Sequence, residues 1–228
     1  MPDLRLDPGR ALVHLPSRSL VVADLHLGFE WVQRSRGQLL PVGRPDDTVE
    51  RIGNLARKWD ARRVVVLGDV VHGAPTLEGV RRALEGLFDA MDGMEWTIVL
   101  GNHDRGLAEH LGTMRVQALS WGTSWREPGW VGIHGDKAPE LRPGERVLSG
   151  HEHPAIHVAK AGSGAIRLPA FAVGPMGIIL PAFSPWAAGS LAGQRPPLGE
   201  WARIHVATTY VACMGTRLLP IPASRLPR

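Results

Sequence analysis

Short apolar runs recur along the first part of the chain: Ser19 to Ala23, Arg63 to Leu67, Trp96 to Leu100 and Trp130 to Ile133. Each is four or five residues long and rich in β-branched or aromatic side chains, which predicts buried strands. Between them the hydrophobic period lengthens to that of a helix. Val49, Ile52, Leu55, Ala56 and Trp59 share one helical face that Asp46 or Asp47 can cap, and Val80, Leu84, Leu87, Phe88 and Met91 share another that Thr76 can cap. Strands alternating with helices predict an α/β fold. Beyond about residue 130 the pattern becomes strands separated by Gly/Pro turns, which predicts a second sheet packed on the first.

From Leu168 to Gly193 the chain carries no charge, a length sufficient to cross a bilayer. Pro169, Pro175, Pro181 and Pro185, with Gly174, Gly177 and Gly189, would break a spanning helix repeatedly, and lipid cannot satisfy the freed backbone groups. The stretch therefore predicts two buried strands, Ala170 to Val173 and Gly177 to Leu180, joined by a tight turn, and no membrane association.

Composition narrows the class. The 228 residues, 44% hydrophobic and 21% charged, are ordinary for one globular domain, expected over residues 1–219, with the Pro/Arg-rich 220–228 as a loosely held tail. Cys213 stands alone and the amino terminus lacks a basic-then-apolar leader, so a reducing cytoplasm is the expected location. A net charge of +4 permits a polyanionic partner without requiring one.

The chemistry lies in five short segments that mostly follow predicted strands: Asp24-Leu25-His26, Gly68-Asp69, Gly101-Asn102-His103-Asp104, His134-Gly135 and Gly150-His151-Glu152-His153. In α/β sheets, sites gather beyond the carboxyl ends of strands, where loops converge. Carboxylate, imidazole and amide oxygen suit two adjacent divalent cations, with open positions left for water and a phosphate oxygen. The candidate ligands are Asp24, His26, Asp69, Asn102, His134, His151 and His153, and Asp69 is the candidate bridge. A lone histidine would more often be a core residue; seven ligands on converging loops favour the metal centre.

These segments resemble the calcineurin-like metallophosphoesterase superfamily, whose pattern is D-x-H, GD, GNH, H and GHxH. The resemblance implies a two-sheet α/β sandwich flanked by helices. It implies one metal held by Asp24, His26, Asp69 and His153, the other by Asp69, Asn102, His134 and His151, and His103 as the catalytic histidine beside the phosphoryl group. Phosphoprotein phosphatases of this superfamily carry an acid three residues after the bridging Asp. Here that position is His72, and the Gly-Asp-x-x-His pattern, with Gly-Asn-His-Asp and Gly-His-Glu-His, is similar to the nuclease subunit of the Mre–Rad double-strand-break repair complex. His72 or Asp104 could orient His103. A closer likeness covers most of the chain: Leu20 to Glu30, Leu39-Leu40-Pro41 and Arg167 to Gly189 resemble the bacterial DNA-ligase-associated metallophosphoesterases. That family implies a manganese-dependent nuclease or phosphodiesterase linked to DNA repair together with a ligase and a helicase.

Oxygen and imidazole donors suit manganese, and equally iron or zinc. The expected reaction is hydrolysis of phosphodiester bonds in single-stranded or damaged DNA, with both ions polarising the phosphoryl oxygens and His103 protonating the leaving oxygen or stabilising its charge. Hydrolysis of small phosphomonoesters or cyclic nucleotides uses the same ligands, and a non-catalytic scaffold is disfavoured by the intact His103. Arg34, Arg36 and Arg105 follow the first and third motifs, where a cation could meet a phosphate backbone. Trp31, Trp121, Trp125 and Trp186 lie near predicted loops, where an indole could stack on a base.

Overall fold

The computed structural model describes residues 2–38, 45–74, 78–104, 106–112, 116–160, 164–187, 189–192 and 194–226. The first sheet runs in the order β1 (Leu4–Asp7), β2 (Ala11–His14), β3 (Ser19–Val22), β4 (Arg63–Leu67), β5 (Glu95–Val99) and β6 (Gln117–Leu119). An antiparallel hairpin at one edge leads into four parallel strands, β3 to β6. The predicted strands at 63–67 and 130–133 match their observed bounds, and those beginning at 19 and 96 match within a residue at each end.

Helices α1 (Phe29–Ser35), α2 (Pro45–Trp59), α3 (Glu78–Asp89) and α4 (Leu107–Leu111) lie in the crossovers of this sheet. Asp46 and Asp47 do not cap α2 from outside, as the sequence predicts, but lie within it, because the helix begins at Pro45. Proline suits a first helical position, where its fixed φ is already helical and its absent N–H would have no partner. The predicted cap Thr76 lies outside the described residues.

The second sheet follows the order β13 (Ser190–Leu191), β10 (Pro154–Lys160), β11 (Gly164–Gly174), β12 (Gly177–Ile179), β9 (Arg146–Ser149), β8 (Trp130–Ile133) and β7 (Trp125–Glu127), with β14 (Thr209–Met214) also paired to β11 and β15 (Arg217–Pro222) to β14. The uncharged stretch thus forms a hairpin in which Gly174 faces Gly177. Among the described residues no helix is long and apolar enough to cross a membrane. The boundary expected at residue 219 falls inside β15, where Pro220 pairs with Val211 and Pro222 with Thr209, and a short 3-10 helix spans Ala223–Arg225. The segment is a paired edge rather than a loose tail up to that point.

Alternation along the strands builds the layers. Leu20, Val22, Val64, Val66 and Ile98 face Ile52 and Leu55 of α2 and Leu84 and Leu87 of α3. Their neighbours Val21, Ala23, Val65, Leu67 and Val99 face Trp130, Leu148, Phe171 and Ile178 of the second sheet. On that sheet's far side Val131, Val147 and Ile179 receive Trp201 from α5 (Glu200–Ile204). The result is the expected two-sheet sandwich flanked by helices. Each fully buried Leu or Val contributes about 1.5–3 kcal/mol relative to an exposed one, so burial on both faces stabilises β3, β4 and β5 strongly. Trp125 belongs to this core, only 5% exposed, and not to a loop as the Gly/Ser/Pro-rich surroundings suggest.

Candidate metal centre

The carboxyl ends of β3, β4 and β5 and those of β8 and β9 open toward one place, and the loops beyond them are tied to one another. The amides of Asp24 and His26 donate to the carbonyls of Gly68 and Asp69, and the amide of Gly150 donates to the His134 carbonyl. The amide of His151 donates to both oxygens of Asp24, at 3.1 and 3.0 Å, which joins the first motif to the last. Asp24, His26, Asp69, His151 and His153 all take the left-handed backbone conformation, with φ between 46 and 71°. Non-glycine residues seldom adopt it, and such strain persists where surrounding structure enforces it, commonly at functional sites.

These loops assemble two donor groups: Asp24, His26, Asp69 and His153, and Asp69, His134 and His151, each with its ligand atoms within 4.8 Å of one another. Asp69 belongs to both. Nε2 of His26 and Nε2 of His153 stand 3.3 Å apart. His134 Nδ1 lies 3.2 Å from the Leu67 carbonyl, and its Nε2 stands 3.0 Å from Asn102 Oδ1 and 2.9 Å from His151 Nδ1. Atoms of metal-ligating type gathered this closely fit a shared cation, and the backbone contact at Nδ1 orients the ring as in metal sites generally. All seven predicted ligands therefore meet at one place.

Asp24 is fully buried and Asp69 is 2% exposed, and among the described residues their ion-pair partners are imidazoles alone. Two buried carboxylates without a lysine or arginine call for a cation, since an uncompensated buried charge is costly. Burial and the Asp24 carboxylate push Asp69 upward. For Asp24, burial alone would do the same, but His153, His134 and His26 outweigh it and hold it low. Burial lowers His26 to about 3 and His151 below its ordinary value, which favours the neutral form that coordinates in those two rings, whereas at His153 burial is outweighed, chiefly by Asp24, and the ring is raised. The chemistry of the donor set thus fits divalent metal ions.

Around the donors the sequence candidates divide. His103 is exposed, its amide donates to Asp69 Oδ1 at 3.0 Å, and its ring centroid lies 5.4 Å from that of His26. The His72 ring stacks on it, 5.3 Å away and 17° from parallel, while His72 Nδ1 lies 3.2 Å from His26 Nδ1. Asp104 does something else: its oxygens accept from the amides of Val71 and Gly101, at 3.1 and 2.9 Å, so it pins two ligand loops together. Burial raises that carboxyl to about 7. Arg36 is exposed at the end of α1, and its charge is among the influences, after burial and His103, that lower His72 to about 4. Arg34 lies over the Trp31 ring, 5.7 Å from its centroid. Arg105 and the segment Leu39-Leu40-Pro41 lie outside the described residues.

Sequence reasoning missed the supports of the site. The end of the uncharged stretch is more than sheet core: the amides of Phe183 and Ser184 donate to the carbonyls of Ala23 and Asp24. Arg51 donates to the Phe183 carbonyl at 3.0 Å and Arg10 to that of Ser184 at 2.9 Å. Glu152, between two candidate ligands, accepts from the amides of Leu198 and Gly199 and anchors the loop before α5. A carboxylate flanked by two histidines is the one signal that could have drawn attention to it.

The calcineurin-like phosphoesterase family profile matches residues 17–153. Among solved structures, the Pseudomonas putida nuclease MPE superposes with a TM-score of 0.73 at 22% identity, over 96% of this chain and 94% of that one. YfcE, a phosphoesterase from E. coli, gives a TM-score of 0.45 at 14% identity, over 90% of this chain and 98% of that one. Comparison with curated proteins gives no match. The profile spans more than half of the sequence and every one of the five motifs, so the chain belongs to the calcineurin-like phosphoesterase family, whose members use divalent metals.

Proposed function

We propose that this phosphoesterase is a dinuclear phosphodiesterase that cuts single-stranded or damaged DNA, in the cytoplasm and in functional association with a DNA ligase and a helicase. Asp24, His26, Asp69 and His153 would hold one ion, Asp69, Asn102, His134 and His151 the other, and manganese is the expected metal. The observation that carries the reading is the pair of donor groups sharing Asp69. The P. putida protein of the same fold is a nuclease, and the same chemistry is assigned here on the strength of the site.

When bound, the two ions would supply Lewis acidity toward the phosphoryl oxygens and lower the pKa of a nearby water. The protein's own part is positional. Its imidazoles and buried carboxylates fix the donor atoms, and His103, exposed at the rim, delivers a proton to the leaving oxygen. His72 holds the His103 ring from one side by stacking and is a positioning residue. Water adds across one P–O bond, leaving a phosphomonoester and a free hydroxyl. Arg34 and Arg36, with Arg105, meet the flanking phosphates.

His72 puts an imidazole where phosphatases carry a carboxylate, which suits a monoanionic diester with a bulky leaving group. The test is a comparison of bis-nitrophenyl phosphate with mononitrophenyl phosphate. Higher catalytic efficiency on the diester is expected; equal or reversed efficiency would overturn the diesterase assignment.

A further inference from the structure

A recess of about 200 Å³ opens beside His26. Two indoles, Trp31 and Trp186, line it, Leu25 and Leu27 add apolar surface, and Glu30 and Asp47 supply its carboxylates. Both indoles are held. The Trp31 ring lies against α3 where residue 79 has no side chain, and a Cβ there would stand 2.4 Å from a ring carbon. Trp186 stacks on Phe29, 6.2 Å between centroids and 11° from parallel. Phe29 in turn meets His72 at 4.6 Å, and His72 stacks on His103. A row of rings therefore leads from the recess to the histidine at the rim of the metal centre.

The loop that carries Trp186 is fastened at its base. Arg51 lies over the Phe183 ring, 3.9 Å from its centroid, in addition to its bond to the Phe183 carbonyl. The Trp186 amide donates to the Ser184 hydroxyl at 3.3 Å, and Ser184 is tied to Asp24. A ring surface built in advance loses little entropy when a planar ligand lands on it.

We propose that this recess seats an unpaired nucleobase, carried by the nucleotide next to the scissile phosphate and stacked on Trp186. The inference rests on the nuclease reading and adds what that reading lacks, a reason for single strands. Every base has a π-face for an indole, so stacking of this kind is tolerant of sequence. The carboxylates of Glu30 and Asp47 accept from the N–H groups on a base edge and repel phosphate, which keeps the backbone outside, toward Arg34 and Arg36. In a duplex those N–H groups are paired and the base is stacked on its neighbours, and freeing it costs energy that a single strand does not pay.

The experiment uses the manganese-loaded full chain and two single-stranded oligomers of equal length, one ordinary and one in which every nucleotide is an abasic tetrahydrofuran analogue. The KM for the abasic strand should be about 5- to 150-fold higher, the range that one stacked base is worth, with kcat changing far less. Trp186→Ala should raise the KM for the ordinary strand toward the abasic value and erase the difference, and Trp186→Phe should restore most of it. Equal KM values for the two strands in the wild type, which needs no variant to fold, would overturn the base seat while the nuclease reading stands. Failure to cut either strand would remove both.

Discussion

Gly68 and His134 are packed so closely that a Cβ on Gly68 would stand 2.1 Å from His134 Nδ1. Gly68 also has a φ of 80°, which L side chains rarely adopt. The glycine before Asp69, the carboxylate common to both donor groups, is thus what lets an imidazole from the second sheet reach a donor group centred on the first. Gly68→Ala should displace His134, lose the ion it shares with Asp69, Asn102 and His151, and retain the other. Elemental analysis of the purified variant checks this, and a full metal complement would contradict it.

His103 stands in neither donor group, although its amide bonds to Asp69. His103→Ala should keep both ions and lose turnover by about 100- to 10,000-fold, the usual worth of a positioned general acid. A loss of metal in that variant would make His103 a ligand instead.

Arg34 and Arg36 are exposed along and just beyond α1. Affinity for single-stranded DNA should fall as salt rises, and Arg34→Ala and Arg36→Ala should each flatten that dependence by about 0.7 of a slope unit per lost phosphate contact. Arg105→Ala tests the third cation in the same way. Salt slopes identical to the wild type would leave these side chains as solvated surface.

Asp7 makes a prediction about stability. It is buried, and burial would raise it, but the Lys58 ammonium at 2.5 Å, the Gly9 amide at 2.7 Å and the Trp59 indole N–H at 2.8 Å together hold it below its ordinary value. A lowered folded pKa means that the unfolded chain takes up the proton first. The stabilisation is therefore complete above the unfolded value of 3.8 and is lost as pH falls through the lower folded value. Asp7→Ala leaves the indole and the amide without their acceptor and should cost about 1–3 kcal/mol at neutral pH. Urea unfolding of variant and wild type at pH 7 and at a pH well below 3.8 should show that gap narrowing in acid; a gap that does not change with pH would contradict the ion pair.

The strands that carry the ligands were legible because strands buried on both faces must be apolar throughout, as in Val64-Val65-Val66-Leu67. The ligand set was legible because coordination restricts residue type at fixed places after those strands. The hairpin β1–β2 was not, since its buried polar groups, Asp7 and His14, break the apolar pattern and find their partners only in the fold: Lys58 and Trp59 for one, the Ser17 hydroxyl for the other. Pro220 and Pro222 read as a tail because proline is scarce in sheets, yet an outer strand such as β15 tolerates it. The division of labour between His72 and Asp104 needed geometry: both lie near His103 by sequence argument, and only the structure turns the Asp104 carboxylate onto backbone amides and the His72 ring onto His103.

The most direct test of the account is cleavage of an end-labelled single-stranded oligonucleotide by chelator-stripped protein as manganese is added back. No cleavage is expected without metal, and cutting should rise only as the second ion binds, because both donor groups share Asp69. Cutting that survives complete removal of metal, or a fully loaded protein that leaves the strand intact, would contradict it.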